Sequence, residues 1–290
     1  MSKVRKLASF SKIKRGEDNK RPATTAQYVD TVFVGDRSGS MSSMGDSPQE
    51  GIKGFMRDQK ELSENGGNVY LQVVTFDDQA EVVYSGNAGK VTKTDLKRCG
   101  EEMTPRGCTR LYDTAIEAIN AQAGRIRKLK ASWPKSIRDL NPKISVIFAL
   151  LTDGNDNSSK KTSKDLQNAV TKHRKEFDAN CIFMAANQDA ICTGKDYGFC
   201  PDLSMQMSPD KEYSSNAFKN VSGLCQRTAT LDTPPAFTKL ERYTSCDPYD
   251  QYSQNAELNM DSDEDLDNDD CFPSVPLQTT LDSGVKLSRS

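Results

Sequence analysis

Val32-Phe33-Val34-Gly35-Asp36-Arg37-Ser38-Gly39-Ser40-Met41 is the stretch on which the reading of this chain turns. An apolar run of strand type stops at a carboxylate, and hydroxyls follow at the second and fourth positions after it. Alternate residues in a turn can point the same way, so Asp36, Ser38 and Ser40 can converge on one point, with Gly39 expected to allow the tight backbone. Small oxygen donors of this kind suit a hard divalent cation.

Two later segments have matching character. Gly107-Cys108-Thr109-Arg110-Leu111-Tyr112-Asp113 opens a helical pattern with a hydroxyl ahead of it. Val146-Ile147-Phe148-Ala149-Leu150-Leu151-Thr152-Asp153-Gly154 is a continuous apolar run, the mark of a buried strand, and it too ends in a carboxylate. Read singly, each has a plainer meaning: a polar turn after a strand, a helix cap at Thr109, a strand-ending turn at Asp153. Their order, each beside a strand or helix, favours a shared site.

The surrounding pattern supplies the scaffold. Strands are predicted at Tyr28–Val34, Val69–Phe76, Ala80–Tyr84, Ile144–Leu151 and Cys181–Ala186, and helices at Pro48–Leu62, Leu111–Ile126 and Leu166–Lys175. Such alternation implies an α/β fold with a doubly wound, mainly parallel sheet. In such sheets ligands bind beyond the carboxyl ends of the strands, where strand order reverses. Both carboxylates follow strands at that edge.

With these three segments the chain resembles the von Willebrand factor A family, and in particular its bacterial and viral intracellular members. The resemblance covers residues 27–230, including Ala185–Ala190 after the last predicted strand and a closing helix over Asn216–Thr228. It implies a Rossmann-like domain with a metal-ion-dependent adhesion site at Asp36, Ser38, Ser40, Thr109 and Asp153. It further implies Mg2+, with Mn2+ as a substitute, and a protein partner that contributes a carboxylate to the open position of the metal. Members of the family act as adaptors in larger assemblies, some beside AAA+ ATPases and some in ribonucleoprotein settings. Two positions depart from the family pattern: Gly35 stands where an apolar residue is usual, and Cys108 precedes Thr109. Gly35 is expected to loosen the strand end, and Cys108 to make the site sensitive to oxidation.

Charge divides the 290 residues into three regions. Residues 1–26 carry eight Lys or Arg against Glu17 and Asp18, a net +6, and residues 231–290 carry thirteen acids against four bases, a net −9. The middle, 27–230, is left near +1. With a mean hydropathy of −0.69, the two ends are expected to be a basic disordered arm and an acidic disordered tail. The tail culminates in Asp261-Ser262-Asp263-Glu264-Asp265-Leu266-Asp267-Asn268-Asp269-Asp270, where Ser262 is an acid-directed phosphorylation candidate. This run is expected to compete in cis, at the metal site or at the basic segment Arg125–Lys143.

Several functions find no support. No run approaches the roughly 18 apolar residues of a membrane span, and no C-x-x-C pair accompanies the single His173. The eight cysteines are therefore expected to be reduced and the chain cytoplasmic, with a mitochondrial presequence or a nuclear signal around Lys12–Arg15 left open. Arg125–Lys143 holds seven bases and Trp133, but without a nucleic-acid module it reads as a solvated connection. The acidic stretches starting at Asp153 and Asp261 lack the glycine and glutamate of a calcium loop. Enzyme signatures each fail by at least one residue, since position 38 is Ser where a phosphatase needs its second acid, and position 105 is Pro. The expectation is a binding module and not an enzyme. A Mg2+-dependent phosphohydrolase using Asp36 and Asp153, or a scaffold acting through its charged tails, are the alternatives.

Overall fold

The structure is a computed structural model, and it describes residues 28–140, 142–154, 156–186, 189–230 and 236–247. Its centre is β1, Tyr28–Asp36, in which every residue after Tyr28 is buried. A strand so placed has a neighbour on each edge and a helical layer on each face, which is why it reads as an almost continuous apolar run. β1 pairs in parallel with β2, Val69–Phe76, on one side and with β4, Ile144–Thr152, on the other. The turn at Asp77–Gln79 sends β3, Ala80–Asn87, back antiparallel to β2. β5, Asn180–Ala186, and β6, Ser204–Met207, extend the other side, giving the order β3-β2-β1-β4-β5-β6. The chain leaves β1 in one direction and returns to its opposite edge at β4, so the crevice between these strands is the switch point.

Two helical layers cover the sheet. α1, Ser47–Glu64, α2, Lys93–Glu101, and α7, Lys211–Thr230, share one core with Phe33 of β1; α3, Leu111–Ser132, and α5, Ser163–Phe177, share the other with Val32 and Val34. The short α4, Lys135–Arg138, has no buried residue, and α6, Ala190–Asp196, lies between β5 and β6. Phe33 meets Phe55 of α1 at 5.3 Å and Phe218 of α7 at 6.1 Å between ring centroids. Each such fully buried apolar side chain contributes about 1.5–3 kcal/mol relative to exposure. Among the described residues no helix is long and apolar enough to cross a membrane.

The mostly parallel α/β sheet agrees with the sequence reading, but the one-turn α4 and four further elements escaped it. α2, α6 and β6 are short, and their apolar periodicity is too brief to register. The fourth is α8, Lys239–Ser245, inside the stretch assigned to the acidic tail from residue 231. Composition misled there, because the helix is held by polar contacts. Thr238 and Glu241 form a reciprocal capping box, Arg227 makes paired bonds of 2.8 and 3.1 Å to Glu241, and Asn220 donates to Glu241 O, Thr244 and Ser245. Phe237 and Cys246 are buried on either side of it. The expected arm at 1–26 and the rest of the expected tail, 248–290, lie outside the described residues, as does the Asn187-Gln188 pair after β5.

From residue 127 on, Arg125–Lys143 is largely solvent-exposed, as expected of a solvated connection. At its start Arg125 is spent on buried Asp30, at 2.7 and 2.8 Å, and covers the Tyr70 ring, while Arg127 pairs with Glu176. One further expectation needs correction: not all cysteines are reduced. Cys99, Cys108, Cys181 and Cys225 are free thiols, but Cys200 is disulfide-bonded, a pairing that scattered spacing does not reveal.

His173 of α5 lies in this polar seam, its Nε2 at 2.9 Å from Gln122 Oε1. Gln122 Nε2 in turn donates to Asp30 and to Ile147 O, so its oxygen accepts and the imidazole is the neutral Nε2–H tautomer. Burial pushes the imidazole from 6.5 down to about 4. The unfolded chain therefore binds one more proton between those values. The contribution to stability is full above pH 6.5, falls as pH drops, and is lost by about pH 4. Urea unfolding at pH 7.5 and 4.5 should show a wild-type loss that exceeds that of His173→Gln by about 2 kcal/mol. Equal losses would show that His173 titrates normally in the fold.

Candidate metal centre

The site forms where β1 and β4 end side by side, with Gly35 opposite Leu151 in the register. Asp36 is fully buried and accepts two bonds of 2.7 Å, from the backbone N of Ser38 and from Thr152 Oγ1. The first is an Asx-type turn that folds the serine loop over its own aspartate. Ser38 and Ser40 then bring their Oγ atoms to 3.0 Å, and Ser40 Oγ donates to Asp153 Oδ1 at 2.7 Å. Asp36, Ser38, Ser40 and Asp153 thus lie in one hydrogen-bonded series. Ser38 is buried, Ser40 is exposed and Asp153 half-buried, so the cluster opens outward at Ser40 and Asp153.

Burial, opposed by the bonds from Thr152 and Ser38, pushes the Asp36 carboxyl from 3.8 up to about 6, and the nearby Asp153 adds to the rise. Asp153 is raised by burial too, against its bond from Ser40. Among the described residues neither carboxylate has a Lys or Arg within ion-pair distance. Two carboxylates and two facing hydroxyls without a compensating charge are a donor set that fits a small, hard cation. No three His, Cys, Asp or Glu cluster as a metal site among the described residues.

Thr109 approaches by a different route. Its loop meets the serine loop where Gly39 N donates to Gly107 O at 3.2 Å, and Thr109 itself is buried. It does not cap α3; the N-cap position is Arg110, which makes no side-chain cap bond. The capping comes from residues 156–159. Asp156 Oδ2 accepts from Tyr112 N and Ser159 Oγ from Asp113 N, each at 3.0 Å. Asn157 Oδ1 accepts from Thr109 N at 2.8 Å, while the Asn157 and Ser158 amides donate to Thr109 O. Asp113 answers by accepting from the Lys160 and Lys161 amides. Thr109 is therefore clamped through both its amide and its carbonyl, and it joins the series of Asp36, Ser38, Ser40 and Asp153 through its loop and not through a side-chain bond. Asp156, Asn157 and Ser159 are the residues that sequence reasoning missed. The density of Asx and Ser turn formers after Asp153 was the available signal.

Beneath both loops lies Arg37, with no solvent exposure. It turns away from the carboxylates of the site. Its Nε bonds Asp77 at 3.0 Å, and its Nη1 reaches Thr75 at 3.1, Glu81 at 3.2 and Glu102 at 2.7 Å. Asp77 also accepts from Arg106 Nε at 2.7 Å. Burial works to raise the Asp77 carboxyl, yet the bonds from Arg106 and Gln79 N and the Arg37 charge hold it below the usual range. The backbone repeats the connection: Arg106 N donates to Arg37 O at 2.7 Å, and Arg110 N to Asp77 O at 2.8 Å.

Two glycines change meaning. A Cβ at Gly39 would lie at ordinary contact distance, 3.5 Å from Gly107 O, so the tight backbone expected there does not require glycine. Gly107 does, with φ of 69° and Asp78 Oδ1 3.0 Å from a built Cβ. Gly35 does not loosen β1. Its missing Cβ makes room for Met103, whose Sδ would lie at 2.9 Å, and so lets the Thr109 loop seat against the sheet.

Asp77→Ala would leave Arg37 buried without its principal partner, and should cost about 3 kcal/mol in urea unfolding. Arg106→Ala, at the exposed end, should cost less than about 1 kcal/mol. Similar small losses for both would remove the network from the account. Gly35→Ala should destabilise by about 1–3 kcal/mol through overpacking against Met103. Much of that should return in Gly35→Ala/Met103→Val, a coupling that a double-mutant cycle measures and that additive losses would exclude.

The chain matches no protein-family model and no curated protein. Among solved structures it resembles the von Willebrand factor domain of the type V pilus tip protein Mfa5 from Porphyromonas gingivalis. Identity is 10% and TM-score 0.51, covering 73% of this chain and 99% of that one. A von Willebrand factor type A protein from Catenulispora acidiphila aligns at 18% identity and TM-score 0.44, over 69% of this chain and 43% of that one. Proximal thread matrix protein 1 from the mussel byssus, in a form with a zinc-occupied MIDAS motif, aligns at 20% identity and TM-score 0.45, over 75% and 50%. The chain thus spans half or less of the length of these last two. Its fold, a six-stranded and mostly parallel sheet between two helical layers, is that of a von Willebrand factor A domain.

Proposed function

We propose that this chain is a metal-dependent protein-binding module, with Asp36, Ser38, Ser40, Thr109 and Asp153 holding Mg2+, or Mn2+ in its place. The observation that supports this reading most is the hydrogen-bonded series from Asp36 through Ser38 and Ser40 to Asp153 at the carboxyl edge of the sheet. When bound, the ion offers an electrophilic coordination position to an acidic side chain. The residues of the chain do the rest. Asp36 orients the loop by accepting from Ser38 N, Thr152 fixes the Asp36 carboxylate, and the 156–159 loop holds Thr109 in place. The outward position of Ser40 and Asp153 leaves the approach for a partner carboxylate open.

Binding is favoured over hydrolysis because Ser38 stands where a phosphatase needs a second acid, and because His173, the single histidine, is engaged in the core with Gln122. The proposed partner is a protein presenting an Asp or Glu, within an adaptor role beside an ATPase or in a ribonucleoprotein assembly. We place this role in the cytoplasm, on the free thiols Cys99, Cys108, Cys181 and Cys225. The bridge at Cys200 pulls the other way, and mass spectrometry of alkylated protein from cells, reporting whether Cys200 is reduced, decides between them.

Titration calorimetry of the whole chain with Mg2+, Mn2+ and Zn2+ tests the metal reading. Asp36→Ala/Ser38→Ala should weaken binding by tenfold or more, about 1.4 kcal/mol. Partners captured by the wild type should be lost both with this variant and with EDTA. Unchanged metal affinity would overturn the site; partners that survive both treatments would move the function to the charged ends. Turnover of a phosphate ester that Asp36→Asn abolishes would make the protein an enzyme.

A further inference from the structure

α1 and α2 leave between them a groove of about 440 Å3 on the face of the sheet away from α3. Every charged residue lining it is a cation: Lys53, Arg57 and Lys60 from α1, and Lys93 and Lys97 from α2. Leu96 and Val91 supply an apolar floor, and Thr92 completes the wall. Lys60 reaches across to Val91 O at 2.9 Å, which fixes the groove's width. Glu50, Glu64 and Glu101 pair with Lys53, Lys60 and Lys97 from the outer rim, at 2.7, 3.9 and 3.6 Å. These are exposed contacts of small worth. Arg57 and Lys93 have no carboxylate within ion-pair distance among the described residues.

The chain itself contains a segment of complementary chemistry. Glu257-Leu258-Asn259-Met260 leads into the acidic run 261–270, so carboxylates alternate with Leu258, Met260 and Leu266. It lies outside the described residues, the last of which, Asp247, follows α8 beside β6. Five strand spacings of about 4.8 Å separate β6 from β3, about 24 Å in all. The nine residues 248–256 that precede the segment span about 30 Å when extended, more than that separation. In the alternative basic segment Arg125–Lys143, Arg125 holds the buried carboxylate of Asp30, whereas the glutamates paired with the groove lysines are exposed and open to exchange.

We propose that the acidic segment 257–270 docks in cis in the α1–α2 groove, its carboxylates on the five cations and its apolar residues on Leu96. This replaces the expectation that the tail occupies the metal site, and it stands whether or not the metal reading does. α2 runs directly into the Met103–Gly107 loop, which meets the serine loop at Gly39. A docked segment therefore bears on the placement of Thr109.

The test uses a fluorescent peptide of residues 257–270, read by anisotropy in EDTA at low salt, against full-length chains. A tethered competitor has an effective concentration of about 1 mM, so against an affinity of about 100 µM it weakens binding about tenfold. Neutralising the seven acids of 261–270 in the full chain to Asn or Gln should therefore tighten peptide binding about tenfold over wild type. Arg57→Glu/Lys93→Glu/Lys97→Glu in that background should abolish it, and the milder Lys93→Gln/Lys97→Gln should weaken it with an unchanged melting temperature. Equal binding to wild-type and tail-neutralised chains would overturn the proposal. So would binding that survives the groove reversals, which would direct the segment elsewhere. A tail-neutralised chain that binds a single-stranded oligonucleotide or anionic vesicles through the groove, and not the peptide, would assign the groove to another polyanion.

Discussion

A guanidinium with no access to solvent sits beneath the serine loop, and the position of both site loops depends on it. Arg37 occurs between Asp36 and Ser38, so its backbone belongs to the site while its side chain leaves the site. A buried arginine needs partners for its charge, and here Asp77, Glu81, Glu102 and Thr75 take its Nε and Nη1 donors, while Nη2 is buried without a hydrogen-bond partner. Each acceptor comes from a different element: the β2–β3 turn, β3, the end of α2, and β2. Satisfying one side chain therefore ties the first site loop to the frame that carries the second. The electrostatic consequence is equally direct, because Arg37 pairs with other acids and, among the described residues, Asp36 and Asp153 are left without a cationic partner.

The same economy extends to packing. Met103 enters beside β1 only because residue 35 has no side chain, and Gly107 turns the loop with a positive φ against Asp77 and Asp78. From there the chain passes to Thr109, whose peptide is gripped by Asn157 and Ser158. The 156–161 segment thus joins the exit of β4, which carries Asp153, to the start of α3. Two loops far apart in sequence are held in fixed relation by backbone bonds, and the serine hydroxyls are placed by their bonds to each other and to Asp153.

The scaffold was legible in the chain because strands buried on both faces announce themselves as apolar runs, as at residues 32–34 and 146–151. The convergence of Asp36, Ser38, Ser40 and Asp153 was legible through their spacing behind those strands. Less visible was what holds them. Arg37 looked like any polar residue of a turn, and nothing in its neighbours shows that four acceptors from distant segments surround it. Gly35 was read as a weakness because its role lies in contact with Met103, across 68 positions of sequence. α8 was hidden by composition, although Thr238-Lys239-Leu240-Glu241 carried its capping signal. Long-range complementarity, as between a missing Cβ and a thioether, is the level that local pattern does not reach.

The most direct measurement is a crystal of the full chain soaked in Mn2+ and recorded at a wavelength where manganese scatters anomalously. The account predicts one strong peak within coordination distance of Ser38 and Ser40 Oγ, on the solvent side of Asp36 and beside Asp153, that disappears in Asp36→Ala/Ser38→Ala. A wild-type crystal with manganese bound elsewhere and only water between the two serines would contradict it.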